Sequence, residues 1–181
     1  MIIETERLIL RPWEMSDSTA LFQYGSDPRI GPNAGWPPLK NTEESKKIIE
    51  LILSNWGFYA IVFKETNEIV GCINILIGEA SNFDIADDEG ELGFWIGVPH
   101  WGNGYATEAI EEMLDYGFED LELKKIWCGY FSDNERSRSV QEKCGFQYQY
   151  TLEKIKTLAG DEKTEIVMGM ENSDYYKGFE K

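Results

Sequence analysis

Residues 96–107 constrain the fold of this chain more than any other segment, and they read I-G-V-P-H-W-G-N-G-Y-A-T. A strand-like apolar run ends at Val98, a proline bends the chain, and a helical pattern begins near Asn103 or Gly104. The free N–H groups and the positive dipole end of such a helix start form a site for phosphate. Gly102 and Gly104 let the backbone approach an anion, although a tight strand-to-helix turn would need the same glycines for geometry alone.

This glycine-rich segment does not match two common nucleotide-binding motifs. No Gly-Lys-Ser/Thr follows it, which excludes a Walker loop. A third glycine and an acid at the end of the next strand are missing, which excludes a dinucleotide fingerprint. The segment by itself leaves open both phosphate binding and a purely structural turn.

The net charge narrows the class of partner. The 181 residues include 17 Lys and Arg against 33 Asp and Glu, a formal charge of −16. Such a chain repels phosphate backbones unless its basic residues cluster along the sequence, and they do not, so we expect no nucleic-acid partner. The charge favours cationic partners instead.

Composition predicts one globular domain over residues 1–181, because 42% of the residues are hydrophobic and 13% are aromatic. The longest apolar run, residues 69–77, is shorter than the roughly 18 residues that a membrane span needs. Acids stand near the N-terminus where a signal peptide has basic and apolar regions. Three dispersed cysteines, Cys72, Cys128 and Cys144, are typical of a reducing compartment. We therefore expect a cytoplasmic protein with no membrane partner.

Hydrophobic periodicity predicts an α/β fold on a mixed, mostly antiparallel sheet. The predicted strands are residues 7–13, 58–63, 69–77, 91–98, 125–131, 146–158 and 164–170. The predicted helices run from residue 16 or 17 to about 24, from 41 or 42 to about 56, from 104 to about 119, and over 135–143. Residues 84–91 carry five acids in eight positions, which indicates either a solvated loop or an acidic collar that attracts an amine.

A second motif follows the strand at residues 125–131, and together with the first it carries a family resemblance. Residues 101–106 (W-G-N-G-Y-A) resemble the Gln/Arg-x-x-Gly-x-Gly/Ala pyrophosphate loop of the Gcn5-related N-acetyltransferases (GNAT). Residues 134–146 (N-E-R-S-R-S-V-Q-E-K-C-G-F) resemble their Asn-x-x-Ser…Glu-Lys-x-Gly-Phe segment. Residues 5–11, the W-P-P at position 36 and residues 90–96 are similar to the ribosomal-protein N-terminal acetyltransferase (RimJ/RimL-like) branch. The resemblance covers about residues 3–170.

The resemblance implies a GNAT fold: a twisted sheet of about seven strands flanked by about four helices, splayed between the fourth and fifth strands. Those strands are residues 91–98 and 125–131 here. Acetyl-CoA would lie in the opening, with one strand N–H polarising the thioester carbonyl. The residues that the resemblance assigns to acetyl-CoA are Ile96, Gly97 and Val98 on the strand, Trp101, Gly102, Asn103, Gly104, Tyr105, Ala106 and Thr107 in the loop, and Asn134 beside the pantetheine.

Acetyl transfer to an amine needs a proton donor for the CoA thiolate and a proton acceptor for the ammonium group. Many family members use a Tyr as the donor where this chain has Gln141, whereas the RimJ/RimL-like branch uses a Ser, and Ser137 stands at that position. A helix N-terminal serine that stabilises the turn is the alternative. The branch places a Glu where this chain has Val98, so we expect Glu91 to act as the base through water. The alternative for Glu91 is a solvated residue at the start of a strand.

On the acceptor side, Trp36 in the Pro- and Gly-rich loop of residues 28–38 is the predicted substrate-binding residue. Trp13 and Tyr24 would line the same side by resemblance, although core packing explains them equally well. The only histidine is His100, so no metal centre can be built from imidazoles, and we expect no metal.

Together these features predict an acetyl-CoA-dependent N-acetyltransferase in which a primary amine attacks the thioester directly within a ternary complex. The acceptor would be a protein N-terminus or a small cationic amine. A CoA-binding regulatory or interaction protein that has lost catalysis is the alternative, because Gln141 and Val98 stand at two proton-transfer positions. Family habit and aromatic residues make a homodimer a further expectation.

Overall fold

A computed structural model describes residues 1–177 and contains one sheet of eight strands. The strands are β1 (Ile3–Glu4), β2 (Leu8–Arg11), β3 (Phe58–Phe63), β4 (Glu68–Ile77), β5 (Glu89–Ile96), β6 (Lys125–Phe131), β7 (Gln147–Lys156) and β8 (Glu162–Glu171). The helices are α1 (Ser18–Gly25), α2 (Thr42–Ile48), α3 (Tyr105–Asp115), α4 (Glu135–Lys143) and α5 (Asn172–Lys177). The strand order in the sheet is β1-β2-β3-β4-β5-β6-β8-β7.

Strands β5 and β6 form the only parallel pair of this sheet, and they separate after four residues. Pairing runs from Glu89 opposite Lys125 to Leu92 opposite Cys128. Beyond that point β5 continues to Ile96 along β4, and β6 continues along β8. We call the opening between residues 93–96 of β5 and residues 129–131 of β6 the gap. The sheet is mixed and mostly antiparallel, and two of its strands separate. Both features confirm the prediction.

The two faces of the sheet bury separate apolar clusters. On one face α3 contributes Ile110 and Met113, fully buried beside residues such as Ile126 of β6. On the other face Trp13 and Ile49 pack with residues of α1, β3 and β4. Because side chains alternate along a strand, each β5 or β6 residue faces one cluster or the other.

The element count differs slightly from the expectation. The strand predicted at residues 7–13 is the shorter β2, and residues 3–4 add β1 against it, so the splay lies between the fifth and sixth strands. A fifth helix, α5, follows the last strand. Helices α2 and α3 each end in a π-helical turn, Ile49–Leu53 and Tyr116–Asp120, which accounts for the longer helices predicted there.

No helix in residues 1–177 is long and apolar enough to cross a membrane.

Candidate active site between strands β5 and β6

The β5 edge of the gap presents backbone polar groups. The N–H of Gly97 donates to the Val70 carbonyl of β4 over 2.8 Å. Since successive strand residues alternate in the direction of their backbone groups, the N–H and C=O of Ile96 point away from β4 and into the gap. The indole Nε1–H of Trp101 donates to that Ile96 carbonyl over 2.7 Å. The Ile96 N–H is thus placed to bind a carbonyl oxygen.

The glycine-rich loop leads directly into α3. Gly102 and Gly104 have φ angles of 79° and 81°, a left-handed conformation in which a side chain is strained. Gly104 is the N-cap residue, so Tyr105, Ala106 and Thr107 form the first turn with their N–H groups unmatched within the helix. A Cβ on Gly102 would meet nothing within 4 Å. The loop therefore leaves its backbone open to a ligand.

An ion pair ties this loop to the start of the sheet. Glu108 of α3 accepts hydrogen bonds from the Arg7 side chain at 2.6 Å, the Arg7 N–H at 2.7 Å and the Thr5 hydroxyl at 2.5 Å. Arg7 also donates to the Asn103 carbonyl at 3.0 Å. Burial alone would raise the pKa of Glu108, but the hydrogen bonds from Thr5 and Arg7 outweigh it and lower that pKa.

Positive charge gathers around the loop although the chain is strongly acidic. The guanidinium of Arg136 lies 4.2 Å from the ring centroid of Trp101, and that of Arg29 lies 6.0 Å from the same ring. Arg7 stacks on Tyr105 at 4.9 Å. Arg7 and Arg29 are paired with Glu108 and Asp27, whereas Arg136 has no ion pair among residues 1–177. The Arg136 charge beside an open helix start favours binding of an anionic group such as a pyrophosphate.

The bend after β5 is held by a hydrogen-bonded side-chain pair. The Tyr24 hydroxyl lies 3.0 Å from Nε2 of His100 and 3.3 Å from the Glu68 carboxylate. Burial is the main cause that raises the pKa of Tyr24 to about 12, with the Glu68 charge second. A Cβ on Gly97 would lie only 2.6 Å from the Tyr24 ring, so this position requires glycine. His100 is therefore a support of the bend.

Helix α4 faces the gap from the β6 side. Asn134 caps it by accepting from the Ser137 N–H at 3.2 Å. Gln141, one helical turn after Ser137, is fully buried. Its Nε2 donates to the Ser137 hydroxyl oxygen at 3.1 Å and to the Gly129 carbonyl of β6 at 3.0 Å. Among residues 1–177 its Oε1 has no hydrogen-bond partner.

This arrangement defines what Ser137 can do. The Gln141 nitrogen must face the Gly129 carbonyl, which fixes the orientation of the amide. Ser137 is then an acceptor toward Gln141, and its own O–H hydrogen is directed elsewhere. Ser137 lies in the first turn of α4, where the alternative interpretation of a helix N-terminal serine places it. Its hydroxyl also has a proton available near the gap.

Glu91 lies in the paired part of β5, opposite Trp127 and two residues before the gap, and is only 9% exposed. Its carboxylate accepts from the Ser81 hydroxyl at 2.8 Å, the Asn82 N–H at 2.5 Å and the Asn82 side-chain amide at 3.0 Å. The neighbouring acids are also engaged: Asp88 pairs with Lys124, and Glu89 accepts from Trp127. Several acids of residues 84–91 thus hold the loop and the adjacent strands together.

Glu165 on β8 is a second carboxylate on the face that carries Glu91. Burial raises its pKa to about 7, and the nearby Glu91 charge adds to the effect. A Cβ on Gly129 would collide with the Glu165 carboxylate, so this carboxylate lies directly over the β6 edge of the gap.

Trp36 lies on this same side but packs within its own loop. Its ring would meet a Cβ on Gly31 at 2.7 Å, and it borders the cluster under α1 and α2. The loop is fastened to the β7–β8 hairpin by the Leu158 N–H, which donates to the Gly35 carbonyl at 2.8 Å. Trp13 and Tyr24 are 4% and 3% exposed, which places them in the core.

The structure therefore separates the predicted residues into two groups around the gap. The β5 edge, the glycine loop, Asn134 and Ser137 surround it from the side of α3 and α4. Glu91 and Trp36 lie on the opposite face. Two residues that the sequence reasoning did not assign to the site, Gln141 and Glu165, border the gap as well.

Sequence signals for these two residues are weak but present. Gln141 follows Ser137 by four positions on a predicted helix, which places both on one face. Glu165 is the only acid of the strand predicted at residues 164–170, and the next residue on its face, Val167, is fully buried. In the part of the chain that the structure describes, no group of three or more His, Cys, Asp or Glu side chains is placed to hold a metal.

Comparison with known proteins assigns the family. The model of the acetyltransferase (GNAT) domain matches residues 7–147. The chain belongs to the GNAT acetyltransferase family. The uncharacterized N-acetyltransferase p20 of Bacillus licheniformis is 32% identical to this GNAT protein over 164 residues, covering 86% of this chain and 88% of p20.

Solved structures of GNAT proteins share the fold. An acetyltransferase of the GNAT family from Bacillus anthracis superposes with a TM-score of 0.83 at 22% identity, over 96% of this chain and 99% of that one. The ribosomal-protein-S5-alanine acetyltransferase of Vibrio fischeri has a TM-score of 0.72 at 22% identity, over 97% and 98% of the two chains. The chain is an acetyltransferase with this architecture.

Proposed function

We propose that this acetyltransferase takes its acetyl group from acetyl-CoA and transfers it directly to a primary amine bound beside the thioester. The observation that carries the proposal is the gap itself. A strand edge without a strand partner, with the Ile96 N–H directed inward, meets an open glycine loop at the start of α3. These are the groups that a pantetheine arm followed by a pyrophosphate would need.

Acetyl-CoA fits the residues that border the gap. The strand predicted to reach Val98 ends at Ile96, and Val98 begins a short 3-10 turn. The backbone at this end of β5, from Ile96 through Gly97 to Val98, would pair with the pantetheine as an added strand does. The loop of residues 101–107 would hold the pyrophosphate with backbone N–H groups, and the guanidinium group of Arg136 would add charge. Asn134 would hydrogen-bond the pantetheine from the other side.

The same groups supply the chemistry of acetyl transfer. The Ile96 N–H hydrogen-bonds the thioester oxygen as negative charge develops on it, an effect worth several kcal/mol in comparable sites. Holding the amine next to the thioester removes most of the entropic barrier of a two-substrate reaction. The amine nitrogen attacks the carbonyl carbon, the C–S bond breaks, and the sulfur leaves as a thiolate.

Ser137 is the proposed proton donor to that thiolate. Its oxygen accepts from Gln141, which leaves its hydrogen free to point at the sulfur. The hydroxyl then regains a proton from solvent, because α4 begins at the surface. The position that carries Tyr in many family members is taken here by Gln141, which orients the donor.

The acceptor is proposed to be a protein N-terminal amine or a small cationic amine. The resemblance to ribosomal-protein acetyltransferases favours a protein N-terminal amine. The acidic face that carries Glu91 and Glu165 would attract either kind of amine in its cationic form. Trp36 would contact the acceptor from its loop. The sequence predicts Glu91 as the base, and the pH dependence of kcat in Glu91→Gln and Glu165→Gln distinguishes the two carboxylates.

The proposal also covers the domain organisation, the cellular location and the partners of the protein. We treat residues 1–181 as one N-acetyltransferase domain that acts in the cytoplasm, where its three free cysteines suit a reducing environment. A homodimer and the absence of a nucleic-acid partner stay predictions, which sedimentation and nucleic-acid binding measurements would check.

Initial-rate kinetics test the proposed reaction. Thiol release from acetyl-CoA is measured while both acetyl-CoA and the amine are varied, using a peptide with a free N-terminus and an aliphatic diamine as acceptors. A ternary complex gives intersecting double-reciprocal lines. Parallel lines would indicate an acetyl-enzyme, and retention of acetyl-CoA with no thiol release on any acceptor would favour a binding protein.

A further inference from the structure

Glu165 is the carboxylate best placed to meet the amine. It pairs in register with Phe131 of β6, and Gly129 of the same strand carries no side chain that would separate the carboxylate from the gap. Gly129 is also the first β6 residue beyond the last β5–β6 pair. The carboxylate therefore lies over the edge where the acetyl group must react.

The direction from which the amine arrives supports this position. The glycine loop, α3 and α4 surround the gap on one face, where they would hold acetyl-CoA. Glu91 pairs with Trp127, and Phe131 of the same strand pairs with Glu165. Because paired residues and residues an even number of positions apart share a face, both carboxylates lie on the other face of the sheet. That face is the one left for the second substrate.

We propose that Glu165 is the catalytic base of this acetyltransferase and that its carboxylate accepts a proton from the incoming ammonium group. This inference rests on the proposed acetyl transfer. The ammonium group gives one proton to Glu165, and the free nitrogen lone pair attacks the thioester carbon. The C–S bond breaks, the nitrogen releases its second proton to solvent on becoming an amide, and the thiolate takes one proton from Ser137, which regains a proton from solvent. Glu165 returns its proton to solvent.

The two carboxylates differ in their surroundings. Glu91 accepts several hydrogen bonds from Ser81 and Asn82, so its carboxylate oxygens are already engaged. Glu165 makes no hydrogen bond through its side chain to any residue in 1–177, and the Phe83 ring covers the same glycine. Burial and the neighbouring charge hold the pKa of Glu165 at about 7, the range in which a base both ionises and accepts a proton at neutral pH.

Each element packed against Glu165 contributes one titratable group. They are Glu91 on β5, Cys128 on β6, Tyr150 on β7 and, on β8 itself, Lys163, whose ammonium pairs with Asp133 at 2.7 Å. Burial raises the pKa values of Cys128 and Tyr150, so both are neutral near pH 7. Glu91 is thus the charge that influences Glu165 there.

The pH dependence of kcat tests the inference, measured on the full chain with saturating acetyl-CoA and a peptide acceptor. The wild type should lose activity in acid with a midpoint near pH 7. Glu165→Gln should lower kcat by about 100-fold or more and remove that inflection. Glu91→Gln keeps the side-chain shape but removes the like charge, so it should move the inflection to lower pH.

The outcomes separate this inference from the proposed function. An inflection that survives in Glu165→Gln, with kcat within a few-fold of wild type, overturns Glu165 as the base. An inflection that disappears in Glu91→Gln and persists in Glu165→Gln assigns the base to Glu91. A wild type that releases no thiol with any amine overturns the proposed reaction and the base with it.

Discussion

The buried side-chain amide of Gln141 donates a hydrogen bond to the hydroxyl oxygen of Ser137 over 3.1 Å. The same nitrogen donates to the Gly129 carbonyl at the edge of the gap. Gln141 stands at the position where many GNAT proteins have a tyrosine proton donor. Because Gln141 is the donor toward Ser137, the proton of the Ser137 hydroxyl stays available. In the proposed reaction, Ser137 would donate the proton and Gln141 would orient its hydroxyl.

A double-mutant cycle tests this division of roles. Ser137→Ala should lower kcat by about 100-fold, since general acid catalysis commonly contributes that much. Gln141→Leu should lower kcat by a similar factor, and the double variant should lose little more, because both changes remove one oriented proton.

Stability and KM provide the control for that cycle. Gln141→Leu leaves the Gly129 carbonyl without its donor and should cost about 1–3 kcal/mol of unfolding free energy. A purely structural Gln141 would change stability and KM while its effect on kcat added to that of Ser137→Ala. Additive losses in kcat would therefore contradict the positioning role.

Replacement of Gly104 tests the pyrophosphate loop. Gly104→Ala forces alanine into a φ of 81° and should cost about 1–2 kcal/mol of stability. Gly160→Ala is a matched control, because its φ is 91° and no atom lies within 4 Å of the added Cβ. Both variants should lose similar stability, but only Gly104→Ala should weaken CoA binding in calorimetry. Equal CoA affinity in the two variants would argue against the loop as the binding site.

Arginine near Trp101 should contribute charge to CoA binding. Arg136→Gln should weaken acetyl-CoA binding several-fold at low salt, with the difference shrinking as salt screens the phosphates. Arg138→Gln is the control from the same helix, since its guanidinium pairs with Glu142 at 2.9 Å. Calorimetry at two salt concentrations measures both. A loss of equal size in Arg138→Gln would indicate a nonspecific effect of net charge.

The ion pair at the start of α3 should make stability depend on pH. The pKa of Glu108 is lowered in the folded state, so its contribution is complete above its unfolded pKa of about 4.3 and is lost as the pH falls through the folded value. Glu108→Gln should therefore cost about 1 kcal/mol at neutral pH, a value limited by the exposure of Arg7, and much less in acid.

Urea unfolding at neutral and acidic pH checks this expectation. Glu111→Gln, on the exposed side of the same helix, is the control and should change stability little at either pH. A Glu108→Gln deficit that stays constant as the pH falls would show that the side chain acts through packing.

Much of this fold could be predicted from sequence because its signals are local. The strand, glycine turn and helix of residues 91–119 follow from periodicity and from two glycines, and the observed β5 and α3 lie within a few residues of the prediction. The ends of α2 and α3 could not be placed, since a π-helical turn keeps the apolar periodicity of an α-helix.

The candidate site was less accessible to sequence reasoning because it depends on tertiary neighbours. The hydrogen bonds from Ser81 and Asn82 to Glu91 depend on a loop conformation that no motif specifies. The environment of Glu165 arises not only from the adjacent β7 but also from β5 and β6, which are distant in sequence. Motifs therefore located the loop and Ser137, whereas the two carboxylates could be compared only in the folded chain.

Transfer of a labelled acetyl group is the direct test of whether this protein acetylates a primary amine with acetyl-CoA. The protein is incubated with acetyl-CoA labelled in the acetyl group and with a peptide carrying a free N-terminus, or with an aliphatic diamine, and the products are analysed by mass spectrometry. The label should appear as an amide on one of these amines, with one CoA thiol released for each amide formed. Acetyl-CoA that stays bound and intact, with both amines unlabelled, would contradict the proposed acetyl transfer.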